Sequence, residues 1–403
     1  MLLMPPVHRL PVELLSHIFV DLDSIRIHED SIGRKYVSDK GPHRLQTTAA
    51  RVCRRWRSVA LATSLLWSFI SVGDDTRYVE AYIDACATNS GNHQLTLWCI
   101  SSECLPIFLS RLLPHRSRWE SLNIDGGQNI AFSALSSQYE FRILRAVKLN
   151  WFLPLKSGML DFLTNAPQLR VLEIWDSMTE DSLRIPNLTN LVEVYFHADE
   201  PCTCHVFTRF IVAPALVKLE IRDAPIAESL CDSIDVLMSH PQAEPPALRS
   251  LVLDGIAPLL DEGDDRAILR CLARVPNLEH LHVSITRDQQ LEDEGPSIND
   301  VVLAELLVKD TGLPLLPALR MFAWAFGASY EGRPDELARR RHLLLDVVRS
   351  RMAPLMGGQS VAALQSFTTD VEIPELGAEL QCGPTSGAAE HTYIGLYNSD
   401  EWN

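Results

Sequence analysis

Cys202, Cys204 and His205 stand together as CTCH, the closest grouping of thiol and imidazole ligands in the chain. A structural zinc site pairs cysteines about two to four residues apart and adds a fourth ligand at definite spacing. One intervening residue with an adjacent histidine fits that geometry poorly, so these are read as loop cysteines and no metal is expected. His93, His197, His240, His280 and His282 fall in or near segments of strand or turn character. A lone imidazole in such a place reads as a surface group or a satisfied core group. The chain has no glycine-rich phosphate cradle, no nucleophile elbow and no paired-histidine metal motif. No catalytic residue and no cofactor are therefore expected, and the chain reads as a non-enzyme.

The elements around these residues are more informative. Pro11 sits where a first helical turn tolerates a missing N–H. Leu14, Leu15, Ile18 and Phe19 follow at helical spacing as one apolar stripe. A second helix is predicted over about Leu45 to Leu61, with Ala49, Val52, Cys53, Trp56, Val59 and Ala60 inward and Arg51, Arg54, Arg55 and Arg57 largely outward. Ser64 is placed to cap a third short turn carrying Leu65, Leu66 and Trp67. Helices this short bury little surface and need a partner or a neighbouring domain.

Leu-Pro, an acidic residue, Leu-Leu, Ile-Phe, then Val-Cys-Arg-x-Trp-Arg and Leu-Trp, taken in this order from Leu10 to Val72, resemble an F-box. The pattern is most similar to the F-box-like family abundant in mushroom-forming fungi. The resemblance implies that Leu10, Pro11, Leu14, Leu15, Ile18 and Phe19 lie at or beside a surface that docks the adaptor subunit of an SCF-type cullin-RING ubiquitin ligase. It also implies that Val52, Cys53, Trp56, Leu66 and Trp67 mix core and docking roles. The inserted segment IRIHEDSIGRKYVSDKGPHR departs from the family pattern and is read as a loop over about 20–44, punctuated by Gly33 and Gly41-Pro42.

From residue 93 onward, segments of Leu-x-x-Leu-x-Leu character recur: QLTLWCI, RWESLNI, LRAVKLN, LRVLEIW, LVEVYFH, LVKLEIR, LRSLVLD, LEHLHVS and LRMFAWA. Their spacing is about 22 to 25 residues centrally and about 30 to 40 later, against roughly 20 to 29 for a leucine-rich repeat. Each reads as a strand with Leu172 and Ile174, for example, pointing inward and Glu173 outward. Stacking such units gives a parallel sheet with a continuous core, so an irregular, curved solenoid is expected. Asp176, Asp223 and Asp254 stand where a regular repeat places asparagine, and they lack its amide donor. The returns AFSALSSQYEFRIL, GMLDFLTNAP, ESLCDSIDVLMSHP and DDRAILRCLARVP have helical periodicity, whereas TEDSLRIPNLTN is too short for more than a turn. Leu337 to Leu355 is predicted as a long helix with Arg339, Arg340 and Arg341 exposed. SFTTDVEI is predicted as a strand, and YIGLY as a strand capping the stack.

The fold class expected is thus α/β, with a three-helix F-box-like module over 1–72, a helical linker over 73–92, a repeat solenoid over 93–380 and a tail or cap over 381–403. The chain of 403 residues is 46% hydrophobic, which is enough for one small and one large domain. A net charge of −16 argues against nucleic-acid or acidic-membrane partners. The acidic runs near Asp261 and Glu292 are read as solvated loops. No apolar run reaches membrane-spanning length, the N-terminus lacks a secretion signal's basic region and cleavage site, and nine scattered cysteines suit reduced thiols. The expected compartment is cytoplasmic or nuclear. The expected partners are the adaptor subunit, a cullin through it, and a target protein held by the outward strand residues Asn123, Lys148, Glu173, Glu193, Lys218, Glu220, Val252 and His282. Their face depends on register, since a one-residue slip reverses it. The alternative is an interaction scaffold whose opening helices only cap the repeats.

Overall fold

The computed structural model describes residues 10–24, 27–29, 35–37, 45–74, 77–125, 135, 139–151, 160–176, 188–198, 212–222, 225–226, 234, 237–238, 247–258, 265–285, 298–308, 314–325, 334–352, 361–369, 373 and 393–396. It is a mixed α/β protein whose long sheets are parallel, in two compact units: one holds residues 1–153 and 159–170, the other 154–158 and 171–403. The CTCH cluster, His240, Asp223, TEDSLRI and the two acidic runs near Asp261 and Glu292 lie wholly or almost wholly outside the described residues.

The first unit opens with α1 (Val12–Ser24), α2 (Leu45–Val52) and α3 (Arg54–Ala62), then a 3-10 turn, Ser64–Trp67. The expected single helix over 45–61 is broken at Cys53. Its backbone is extended (φ −160°, ψ 172°), and its thiol accepts the Trp56 N–H at 3.4 Å as the cap of α3. The break resets the helical phase, so Val52, expected inward, points to solvent. Ser64 is not the cap of the following turn: Thr63 holds that position without a side-chain cap bond, and donates instead to the Val59 carbonyl at 2.8 Å. The insertion is not all loop either, since β1 (Ile27–Glu29) and β2 (Lys35–Val37) form an antiparallel pair.

The three helices close around Leu15, Phe19, Ala49, Val59, Ala60, Leu66 and Trp67, all buried. Phe19 meets Trp56 edge to face at 5.1 Å, and the Trp67 indole donates to the Ala60 carbonyl at 2.7 Å. Both contacts suit aromatic rings with a polar edge to satisfy. The buried Gln46 amide donates to the Tyr82 hydroxyl at 2.9 Å, tying α2 to α4 (Val79–Asn89). Within the same unit runs a parallel sheet in the order β3 (Phe69–Val72), β4 (Leu95–Cys99), β5 (Trp119–Asp125), β6 (Ala146–Trp151). β3 was not foreseen: FISV carries no Leu-x-x-Leu signature, and it is a strand because Ile70 and Val72 are buried beside the rows of β4. The return helix α5 (Leu105–Leu112) buries Leu105, Phe108, Leu109 and Leu112, completing that core.

The second unit repeats the pattern in the order β7 (Val171–Asp176), β8 (Glu193–Ala198), β9 (Lys218–Arg222), β11 (Ser250–Pro258), β12 (His280–Ile285), β13 (Met321–Ala325), β14 (Ser366–Thr369), β15 (Tyr393–Leu396). The short β10 (Pro225–Ile226) pairs beside β11. All nine Leu-x-x-Leu-x-Leu segments are strands, and SFTT and YIGL add the last two. In one unit or the other, the prolines that announce several segments explain their entry. Leu169, Leu216, Leu278 and Leu319 each donate back three residues, to Ala166, Ala213, Val275 and Leu316 at 3.0 to 3.2 Å. Pro167, Pro214, Pro276 and Pro317 hold the second position of these turns, where the fixed φ of proline favours the bend. Each closing leucine is buried, as are the strand pairs Leu172/Ile174, Leu219/Ile221, Leu281/Val283 and Phe322/Trp324.

Return segments vary. DDRAILRCLARVP contains α6 (Asp265–Ala273), and α7 (Ile298–Leu306) precedes β13. GMLDFLTNAP makes a 3-10 turn, Asp161–Asn165, instead of a helix, and AFSALSSQYEFRIL ends in a turn closed by the Leu144 N–H on the Phe141 carbonyl at 3.3 Å. The long helix is α8 (Pro334–Met352). Its Arg339 is exposed as expected but Arg340 is buried. Arg351 is buried too: its guanidinium donates to Leu306, Leu315 and Leu316 carbonyls at 2.6 to 3.1 Å. Leu316 has a left-handed backbone, φ +54°. No helix of the described residues is long and apolar enough to cross a membrane.

Candidate protein-binding surfaces

The apolar stripe expected on α1 divides in two. Leu15 and Phe19 face the core, while Leu14 (51% exposed), Ile18 (39%) and Leu22 (45%) follow at four-residue spacing along a second, outer face. Val12 is also half exposed, and Val52, Leu61 and Leu65 of the neighbouring helices are similarly open. Seven of the ten large apolar side chains left exposed among the described residues belong to these opening elements. Scattered exposed aliphatics are ordinary, but such a concentration on one small helical region is a mark of interaction surfaces.

Of the residues assigned to docking by resemblance, Pro11, Leu14, Ile18 and Val52 are exposed. Leu10, Cys53 and Trp56 are half-buried, and Leu15, Phe19, Leu66 and Trp67 are core. The Arg55 guanidinium donates to the Leu10 carbonyl, fixing the start of α1 against α3. Arg51, Arg54 and Arg57 remain exposed beside this ridge. Sequence reasoning missed Val12, Leu22, Leu61 and Leu65. Leu22 was legible as the next step of the Leu14–Ile18 series, but Leu61 and Leu65 became outer residues only after the helix break.

Within each unit, the residues assigned to target binding lie on the sheet face opposite the aliphatic core. In the first unit Ser71, Trp98, Asn123 and Lys148 align across β3 to β6. Trp98, Asn123 and Lys148 are half-buried. Asp125, two positions beyond Asn123, has its carboxyl raised above the usual range by burial, with Lys148 opposing that rise.

In the second unit Glu173, Tyr195, Glu220, Val252 and His282 form one row, and Glu193, Lys218, Ser250 and His280 the row before it. Here the expectation of an open face fails at four positions: Glu173, Lys218 and Val252 are buried, and Glu220 has no exposed surface at all. Parallel strands about 4.8 Å apart press long polar side chains together until they satisfy one another. Glu220 accepts from Arg222 at 2.7 Å and lies 3.5 Å from the Lys218 ammonium. Arg222 also stands 3.7 Å from Asp254. Lys218 donates to the Tyr195 hydroxyl at 3.2 Å and sits over its ring, and that hydroxyl donates in turn to Glu193. The Trp175 indole donates to Glu173 at 2.7 Å and stacks on His197 at 3.7 Å. Polar rows so enclosed hold the sheet's register and offer little to a partner.

His280 accepts or donates through Nδ1 to the Ser250 hydroxyl at 3.0 Å. Burial, then His282 and Lys218, hold its imidazole down to about 4, and burial likewise depresses His282. Both rings are neutral at physiological pH. Cys99 is no nucleophile, since burial pushes its thiol up to about 12. Among the described residues no group of three or more histidine, cysteine, aspartate or glutamate side chains is placed to hold a metal ion. Comparison with protein-family models gave no match, and comparison with curated proteins gave none either.

Proposed function

We propose that this protein is the substrate-recognition subunit of an SCF-type cullin-RING ubiquitin ligase. In this reading α1 to α3 form an F-box-like module that docks the adaptor subunit, and the strand segments form an irregular leucine-rich-repeat solenoid that binds a target protein. It is not itself an enzyme. Holding the target beside a ubiquitin-charged partner turns a bimolecular encounter into an effectively intramolecular one.

The observation that carries the reading is the outer apolar face of α1, Leu14, Ile18 and Leu22, left open although Leu15 and Phe19 already anchor the helix to its own core. A helix that needed only to cap the repeats would require one apolar face. The order of residues from Leu10 to Trp67 and the repeated Pro-closed turns before the strands support the same reading. The purified full chain is expected to capture the adaptor subunit, and the Leu14→Asp/Ile18→Asp chain is expected to lose it while still unfolding cooperatively with wild-type secondary structure. A well-folded wild-type chain that does not hold the adaptor overturns the proposal in favour of a scaffold. The full chain is the proper reagent because β3, at the end of the F-box-like segment, is hydrogen-bonded into the sheet through β4.

A further inference from the structure

We infer that the indole N–H of Trp98 and the side-chain carbonyl of Asn123 form a two-point site for a primary carboxamide, the side chain of an asparagine or glutamine presented by the target protein. The inference deepens the receptor reading by naming what the first unit's open sheet face recognises, and it rests on that reading for the source of the amide.

Trp98 and Asn123 are direct register partners on β4 and β5, on the face opposite the aliphatic core. Trp98 Nε1 and Asn123 Oδ1 are both withdrawn from solvent and, among the described residues, neither has a hydrogen-bond partner. A hidden donor and a hidden acceptor side by side are unfavourable as they stand, and native interiors rarely leave such groups unpaired. The two atoms differ in kind: the indole only donates and the amide oxygen only accepts. A single group that satisfies both must accept and donate; a hydroxyl does so through one atom, whereas two atoms carried on neighbouring strands favour a guest that does so along an edge. A primary carboxamide does so through its oxygen and its syn N–H. A carboxylate supplies no donor for Asn123, and an ammonium supplies no acceptor for Trp98. A trans secondary amide holds its C=O and N–H on opposite sides and cannot bridge them.

The charges nearest the site oppose each other: Lys148 is the register partner of Asn123 on β6, and Asp125 lies two positions beyond Asn123 and feels Lys148. Phe69 packs its ring edge to Trp98 at 6.5 Å, and Thr96 and Ser121, paired in the preceding row, carry uncharged hydroxyls. Trp98 and Asn123 are themselves only half-buried, and a guest that reaches their hidden atoms does so by turning the two side chains. In the second unit the corresponding rows are closed by their own ion pairs, which makes this face of the first unit the better place for contact.

The test follows the indole N–H signals of the full chain by NMR during titration with propionamide, N-methylpropionamide or propionate. The Trp98 signal, one of eight tryptophans, is assigned by its loss in Trp98→Phe. If that variant does not fold, it is the indole signal moved by Asn123→Asp. A saturable downfield shift is expected with propionamide, at least about tenfold weaker with the other two probes, retained in Asn123→Asp and lost in Asn123→Leu. Equal responses to all three, no response, or a Trp98 proton held by a long-lived water that propionamide does not displace would each overturn the site. Adaptor capture through α1 does not involve Trp98, so its persistence in such a case leaves the receptor reading standing.

Discussion

Truncating Leu14 and Ile18 together to alanine separates docking from folding. Full burial of a leucine or isoleucine is worth about 1.5–3 kcal/mol, and these side chains leave 51% and 39% of their surface open. The unclaimed part is roughly 1.5–2.5 kcal/mol for the pair, available only when another protein covers the ridge. The double variant should therefore bind the adaptor subunit roughly 10- to 70-fold more weakly. Each substitution removes side chain from an outer helical face, where no cavity results and alanine favours the helix, so stability should fall by no more than about 1 kcal/mol per site. Phe19→Ala supplies the contrast: Phe19 is 1% exposed and packed on Trp56, and its loss should cost about 3–5 kcal/mol of folding free energy. Calorimetric titration with purified adaptor measures the first effect and urea denaturation the second. A double variant that folds normally and binds with wild-type affinity would refute the docking argument, because Leu14 and Ile18 are the middle of the open α1 ridge, between Val12 and Leu22.

Further expectations concern stability. His280 takes up a proton near its ordinary 6.5 when unfolded but resists until about 4 when folded, so the unfolded state binds more protons in that window and stability rises with pH across it. This contribution, roughly 3 kcal/mol, is complete above pH 6.5 and lost as pH falls towards 4; His280→Gln should flatten the stability–pH curve there, and unchanged curvature would count against it. Arg351→Met should cost about 3–5 kcal/mol in denaturant unfolding, since it leaves the Leu306, Leu315 and Leu316 carbonyls buried without their donor; a loss below 1 kcal/mol would show that the clamp is dispensable. Tyr78 is 85% exposed with φ +57°, a left-handed conformation costing roughly 1–2 kcal/mol for a residue with a Cβ. Tyr78→Gly should raise the melting temperature, and a lowered one would mean the side chain has a partner that outweighs the strain.

Much of the architecture was legible along the chain because it is written in local period. Alternation places Leu172 with Ile174 and Leu281 with Val283 whatever the surroundings, and a proline four residues ahead of a strand bends the chain into it. Alternation located all nine repeated strands, five of them with the proline as a second signal. Both signals are silent on β3, where four residues are too few for a pattern and membership depends on the neighbouring strand. They also mislead where a helix resets its phase, as at Cys53, because period assumes an unbroken element.

Sequence alone determined which residues of one element share a face: Lys218 with Glu220 on a strand, Leu14 with Ile18 on a helix. Tertiary structure decided whether that face is open. Glu220 is sealed because Tyr195 of β8 and Val252 of β11 flank it in register, whereas Leu14 is bare because α1 turns Leu15 and Phe19, not Leu14, towards α3 and the 3-10 turn. The physical reason is that side-chain direction follows from backbone dihedrals of a few consecutive residues, whereas burial is set by what residues distant in the chain bring up against them.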